Sequence, residues 1–212
     1  MARTVVTFSR QMGAWGEEIA LRVADKLGVP RLDREILTRA ASTAGVSEEA
    51  IQEAEHVPSF LVRMVELLGR YPLATELGTP MADLPMPPAM STDSYRKLIE
   101  EVIRGVADRG GAVIVGHGGQ VVLKDYPYVL RVFMYAPFKM RVARLMAEEG
   151  IPAPQAQRQL QEKDREWGDY IHSYYHANWT DPQLYDLMIN TGRLNIDACV
   201  DTVLRAAQSI EG

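Results

Sequence analysis

Cys199 is the one cysteine among 212 residues, so no disulfide can close within the chain, and no cysteine–histidine grouping has the spacing of a zinc site. Long apolar runs are missing too. Nothing approaches the roughly 20 consecutive apolar residues of a membrane-spanning helix, and the apolar start of MARTVVTFSR meets Arg10 too soon for the core of a signal peptide. Positive charge is not in excess: 23 Lys and Arg stand against 28 Asp and Glu, a net charge of −5, which argues against nonspecific nucleic-acid binding. Repeats and low-complexity tracts are lacking as well. These absences predict a reducing, cytoplasmic setting, with neither a membrane nor a nucleic acid as partner. What is there is a chain able to fold around a core. Hydrophobic residues make up 47% and charged residues 24%, which is globular composition, and the length suits a single domain of sizeable core over residues 1–212.

The apolar patterning alternates between two periods. Thr4–Phe8 (TVVTF) is a β-branched and aromatic run that predicts a buried strand. Gly16–Leu27 places Ile19, Ala20, Val23, Ala24 and Leu27 on one helical face, with Gly28 in position to end the helix. Pro30–Asp33 reads as a short strand or an extended turn. Helical patterns follow over 34–44, from Ser47, and over 60–68. Residues 69–92 hold five prolines and two glycines, so no regular element spans them. That stretch admits two readings: an exposed loop, compatible with a homo-oligomer contact, or a flap beside the site. Tyr95–Arg109 is a further helix, capped by Ser91 or Thr92 and stopped by Gly110-Gly111. Ala112–Val115, Val129–Tyr135 and Leu187–Asn190 are apolar strands. Residues 137–149, 154–175 and 195–210 are helices. Apolar strands alternating with helices predict a three-layer α/β/α fold around a parallel sheet of about five strands.

In such a sheet, ligands sit at the carboxyl ends of the strands. The turn 9–16 lies at one of these ends. Its glycines let N–H groups converge, and the helix that follows favours an anion at its N-terminus. Taken alone, a Gly-x-x-Gly turn is equally a plain strand-to-helix connection. Three more features bear on it. Leu32-Asp33 stands six residues before Arg39. A second strand ends in Gly116-His117-Gly118-Gly119. Arg141, Arg144, Lys163 and Arg165 supply positive charge from later helices, and Glu148, Glu149, Glu162 and Asp164 are there to pair with them at the surface. A backbone cradle, cations and a covering segment are the parts that phosphoryl transfer needs. His117 reads either as a phosphate partner or as a satisfied histidine in a glycine turn. The aromatics Trp167, Tyr170, Tyr174, Tyr175 and Trp179 are spaced for packing, or for stacking on a base.

Four stretches taken in order, FSRQMGAWGEEIALRVADKLGVPRLDREIL, STDSYRKLIEEVIRGVADRGGAVIVGHGG, VLRVFMYAPFKMRVARL and EKDREWGDYIHSYYHANWTDPQLYDLMINT, cover nearly the whole chain. Together they resemble the cytidylate kinase-like family, a branch of the nucleoside monophosphate kinases within the P-loop fold. The resemblance implies transfer of phosphate from ATP to a nucleoside monophosphate such as CMP, with Mg2+ carried on the ATP phosphates and no metal held by the protein itself. It implies that Ser9, Gly13, Ala14, Trp15, Gly16 and Glu17 line the phosphate turn. It implies that Asp33, Arg39 and His117 face the acceptor, that Arg10, Arg141, Arg144 and Arg165 act on the transferring group, and that Thr191 and Gly192 pass the adenine. A lid-like helical segment is implied at about 150–180.

The departures from that pattern are specific. A full phosphate loop reads GxxxxGK[ST], with the lysine on the β/γ phosphates and the hydroxyl on magnesium. Here Gly16-Glu17 stands in the place of Lys-Ser/Thr, His117 follows Gly116 where relatives carry arginine, and Trp167 replaces a frequent lid arginine. Two expectations therefore stand side by side: a phosphotransferase in which Arg10 supplies the missing cation, and a nucleotide- or anion-binding protein with a degenerate loop and impaired catalysis.

Overall fold

The computed structural model describes residues 4–33 and 92–210, the side chains of 92–95 excepted. The expected helices over 34–44, from Ser47 and over 60–68 lie outside the described residues, as do Arg39 and nearly all of the proline-rich stretch.

Five strands form one parallel sheet: β1 (Val5–Arg10), β2 (Arg31–Leu32), β3 (Ala112–Val115), β4 (Val129–Tyr135) and β5 (Leu187–Asn190), in the order β2-β3-β1-β4-β5. The helices are α1 (Gly16–Leu27), α2 (Thr92–Arg109), α3 (Gly119–Val122), α4 (Phe138–Glu149), α5 (Ala153–Tyr175) and α6 (Ile196–Ser209), with a 3-10 turn at Pro182–Leu184. The strand period of two sorts the core. Val5 packs with Ala112 and Ile114 under α2, against Leu98, Ile99, Val102 and Ile103. Val6 and Phe8 face the other way, onto Ile19, Ala20 and Val23 of α1 and Cys199, Val200 and Val203 of α6. A sheet buried on both faces needs continuous apolar runs rather than alternation, and AVIV in β3 is buried at all four positions for that reason.

Several elements differ from the sequence expectation, and helix α2 starts at Thr92 rather than Tyr95. Strand β1 runs two residues further, because Ser9 and Arg10 pair with Phe133 and Met134 of β4. Polar residues at a strand end carry no apolar signal, so the partner strand alone reveals them. Pro30–Asp33 resolves as the two-residue strand Arg31–Leu32, held beside Val113 and Ile114. The four-residue helix α3 was not expected; its glycine-rich start hides it.

Helix α5 is the long element. Its 23 residues span about 34 Å at 1.5 Å per residue. The first half packs Ala156 and Leu160 on Val142 and Leu145 of α4. The second half puts Ile171 on Phe133 of β4, with Trp179 and Tyr185 completing that cluster. One helix thus reaches from α4 to the sheet's carboxyl end. Among the described residues, no helix is long and apolar enough to cross a membrane.

Candidate functional site

The strand order sets where a crevice opens. From β1 the chain passes to β2 and β3 on one side, then crosses to β4 and β5 on the other. Ligands of open α/β sheets lie at such a switch, beyond the carboxyl ends. Two turns meet there: residues 11–15 after β1 and 116–118 after β3.

The first turn closes with the Ala14 amide donating to the Gln11 carbonyl at 3.1 Å, and Gly13 takes φ +75°. Helix α4 backs it from outside. A Cβ on Gly13 would meet Arg141 Cβ and the Arg141 carbonyl, both at 3.1 Å, so glycine is required by contact as well as by φ. Arg141 is buried, 4% exposed. Its Nη1 donates to the Met12 carbonyl at 3.3 Å, and the guanidinium forks onto Asp164 at 3.1 and 2.8 Å. Arg144 Nη1 donates to the Gly13 carbonyl and to Thr191 Oγ1, both at 3.0 Å, and Nη2 donates to the Thr191 carbonyl at 2.6 Å. Burial pulls the Arg144 guanidinium below its ordinary value. Two arginines therefore hold the carbonyls of residues 12 and 13 on the outside of the turn. Of the two peptides so fixed, the second spends its Ala14 N–H on the Gln11 carbonyl, and the first carries the Gly13 N–H. Trp15, the N-cap of α1, makes no side-chain cap, so the first-turn N–H groups of α1 join the same mouth.

Gly16 and Arg10 interlock. A Cβ on Gly16 would fall on the Arg10 side chain, in conflict with its Cβ and 2.7 Å from its Cγ. The stem of Arg10 thus fills the space beside Gly16, where a lysine side chain would leave the backbone in a full phosphate loop. Arg10 Nε donates to Glu17 Oε1 at 2.9 Å, and Nη2 pairs with the same oxygen. Arg31 approaches Glu17 at 3.7 Å and Asp33 at 2.8 Å. Glu17 is accordingly not a lone negative charge at the loop's end but a partner of two arginines.

In the second turn, Gly116, His117 and Gly118 are all left-handed, with φ +80°, +55° and +71°. Helix α5 lies against them. A Cβ on Gly116 would stand 2.8 Å from Arg10 Nη1 and 3.3 Å from the Trp167 ring; one on Gly118 would stand 2.7 Å from Tyr175. Arg10 sits over the Trp167 ring at 5.6 Å. Ser9, Arg10, Gly116, Gly118, Gln120, Trp167, Ile171 and Trp179 enclose a narrow cavity between the two turns. The Tyr175 hydroxyl donates to Glu100 at 3.0 Å, and that of Tyr185 to the Trp179 carbonyl at 2.6 Å; burial pushes both phenols up, Tyr185 to about 12.

The remaining expected site residues divide. Asp33 follows β2 and pairs with Arg31. Arg165 is exposed on α5. Thr191 is 1% exposed and holds Arg144; the Gly192 amide donates to Asn190 Oδ1 at 2.9 Å. Arg39 lies outside the described residues. Asp164 does pair with one of the arginines, in a half-buried brace onto the buried Arg141. Arg31 carried no sequence signal, because its contact with Glu17 joins β2 to the start of α1. Among the described residues, no three acidic, histidine or cysteine side chains gather to hold a metal.

The cytidylate kinase-like family model matches residues 5–193, and the chain belongs to that family. The chain is similar to a cytidylate kinase of Sulfurisphaera tokodaii, 26% identical over 125 residues, covering 59% of this chain and 69% of that protein. It is also similar to a uronate isomerase of Corynebacterium glutamicum, 30% identical over 116 residues; that match takes in 55% of this chain but spans only 22% of the isomerase. Its fold is shared by the crystal structure of an uncharacterized protein from Eubacterium ventriosum, with a TM-score of 0.65, 18% identity, and coverage of 97% of this chain and 99% of that one.

Proposed function

We propose that this member of the cytidylate kinase-like family binds nucleotides at the turn after β1 and transfers phosphate. The reaction is ATP plus a nucleoside monophosphate of the CMP kind, giving ADP and the nucleoside diphosphate. One observation carries the reading: Arg10 fills the space left by Gly16. A loop that had merely lost its lysine would have a gap there. Here the stem of Arg10 takes that space from the preceding strand and carries its guanidinium to Glu17 and the Gly116 turn.

Each residue then has a part. The turn amides and Arg10 hold the donor phosphates. Arg141 and Arg144 steady the turn by holding the carbonyls of Met12 and Gly13. Asp33 and Arg39, with His117, face the acceptor. Arg165, exposed on α5, is the cation that can approach the transferring group. Glu17, the carboxylate at the loop's end, is taken up by Arg10 and Arg31, so magnesium would ride on the phosphates as a passenger rather than in an all-protein cage. When bound, it neutralises charge on the phosphates.

A guanidinium on transferring phosphate is worth three to five decades in rate. Arg10→Ala is therefore expected to lower ADP release with ATP, magnesium and CMP by roughly a thousandfold or more, with Arg10→Lys between the two. The second reading, binding without catalysis, is favoured by Gly16-Glu17 standing where Lys-Ser/Thr would be. Clear ATP binding by calorimetry with no ADP release across the common monophosphates would establish it against the first. Absence of any nucleotide binding would sink both.

A further inference from the structure

The backbone of Trp15 belongs to the phosphate turn, but its side chain has no part in the scheme above. It is a tryptophan at φ +59°, ψ +16°. That left-handed conformation is a genuine outlier for a bulky residue, and glycine is the residue a full phosphate loop carries there. Such strain persists where the surrounding structure over-determines it, and it clusters at functional sites. Here the determinant is visible. The Arg144 guanidinium lies over the indole at 3.3 Å from the ring centroid, and Arg144 is itself pinned by Gly13 and Thr191. A clamp on one face holds the ring rigid.

The other face is free of it. Trp15 is 38% exposed, and a ring face at van der Waals contact with Arg144 admits no water, so that exposure belongs to the opposite face and the edges. The surroundings are apolar as well. Only four large hydrophobic side chains are exposed among the described residues: Trp15, Leu21, Met140 and Leu194. Two of the others flank the residues that hold Arg144. Met140 lies one helical turn from Arg144 on α4, and its sulfur stands 3.0 Å from where a Gly192 Cβ would be; Leu194 follows two residues later. An exposed aromatic face immobilised from behind by Arg144 is a seat for a flat ring.

We propose that the Trp15 side chain is the platform on which the base of the bound nucleotide stacks, in a column of base, indole and Arg144 guanidinium. Trp15 is also the N-cap of α1, so a phosphate on the α1 amides and a ring on the indole meet within one residue of each other. The ligand is a planar heterocycle joined to a phosphate chain. The assignment rests on phosphate binding at the same turn. Recognition by stacking is tolerant of ring identity, because every base has a π face.

The experiment compares ATP with inorganic tripolyphosphate, which carries the phosphates and no ring, in calorimetric titrations of the full chain. Trp15→Gly removes the platform and relieves the left-handed strain, so the variant folds, as its melting curve will report. Stacking on an aromatic is worth enough for about a tenfold loss of ATP affinity. Tripolyphosphate is expected to bind the variant within twofold of the wild type, and Trp15→Phe to regain part of the ATP affinity. If ATP and tripolyphosphate weaken together, or if ATP binds the glycine variant more tightly, the platform is wrong while the phosphate turn stands. If neither binds the wild type, the phosphate turn falls and the platform with it.

Discussion

Gly16 occupies the first position of a helix, where glycine is ordinarily a weakness. Replacing it with alanine would gain up to about 1 kcal/mol from helix propensity alone. The Arg10 stem reverses that sign. A Cβ at 16 would conflict with Arg10 Cβ and lie 2.7 Å from Cγ, and overpacking a closed site costs about 1–3 kcal/mol. Gly16→Ala is therefore expected to lower stability in urea denaturation by about 1 kcal/mol net. The same change in an Arg10→Gly background should be neutral or stabilising, since the obstacle is gone. Loss of equal size in both backgrounds would mean that Arg10 is not the obstacle. The sequence shows that lysine is missing from position 16. It does not show that position 10 has taken its volume, because the two positions are joined only by the way the turn folds back on the strand.

Helix α5 is an element with two attachments, and Asp164 lies between them. It ties α5 to Arg141 of α4, and through Arg141 to the carbonyl of Met12 in the turn after β1. Arg141 is 5% exposed in its side chain and Asp164 26%. Removing one partner of a buried pair leaves an uncompensated charge, at about 3–5 kcal/mol when both are buried; the partial exposure of Asp164 reduces this to about 2 kcal/mol. Asp164→Ala should show that loss by denaturant titration, together with faster hydrogen exchange at the amides of the phosphate turn. Unchanged exchange there would mean that the brace stabilises α5 without shaping the turn. Helical spacing made Arg141 and Arg144 legible as a pair on one face. Their direction was not legible. Whether an arginine faces a ligand or holds the turn that binds it depends on where α4 docks.

Across the molecule, the sheet's outer strand is fastened by one pair remote from the site. Arg131 of β4 donates to Asp186 from its backbone N at 2.8 Å, from Nε at 3.0 Å and from Nη2 at 2.6 Å, and the Asp186 amide donates back to the Arg131 carbonyl at 2.8 Å. Burial alone would raise the Asp186 carboxyl, but the Arg131 donors outweigh it and hold it below the ordinary carboxylate range. A carboxylate depressed in the folded state contributes stability that is fully present above its unfolded value, about 3.9, and is lost as pH falls through the folded one. Asp186→Asn is expected to lower the melting temperature at pH 7 and to flatten the loss of stability below about pH 4. An acid limb parallel to the wild type would assign that loss to other groups. By itself the sequence determined the layers: apolar runs of period two and faces of period 3.6 leave a parallel sheet between helices as the arrangement that buries both. It also determined the family and where the glycine turn after β1 falls, because these are carried by local pattern and order. The tertiary structure alone decided what that turn is made of. Arg10 beside Gly16, Arg144 beneath Trp15 and Asp164 on Arg141 join residues by contacts across 6 to about 130 positions, and no periodicity in a chain encodes which side chain will fill the space that another has left.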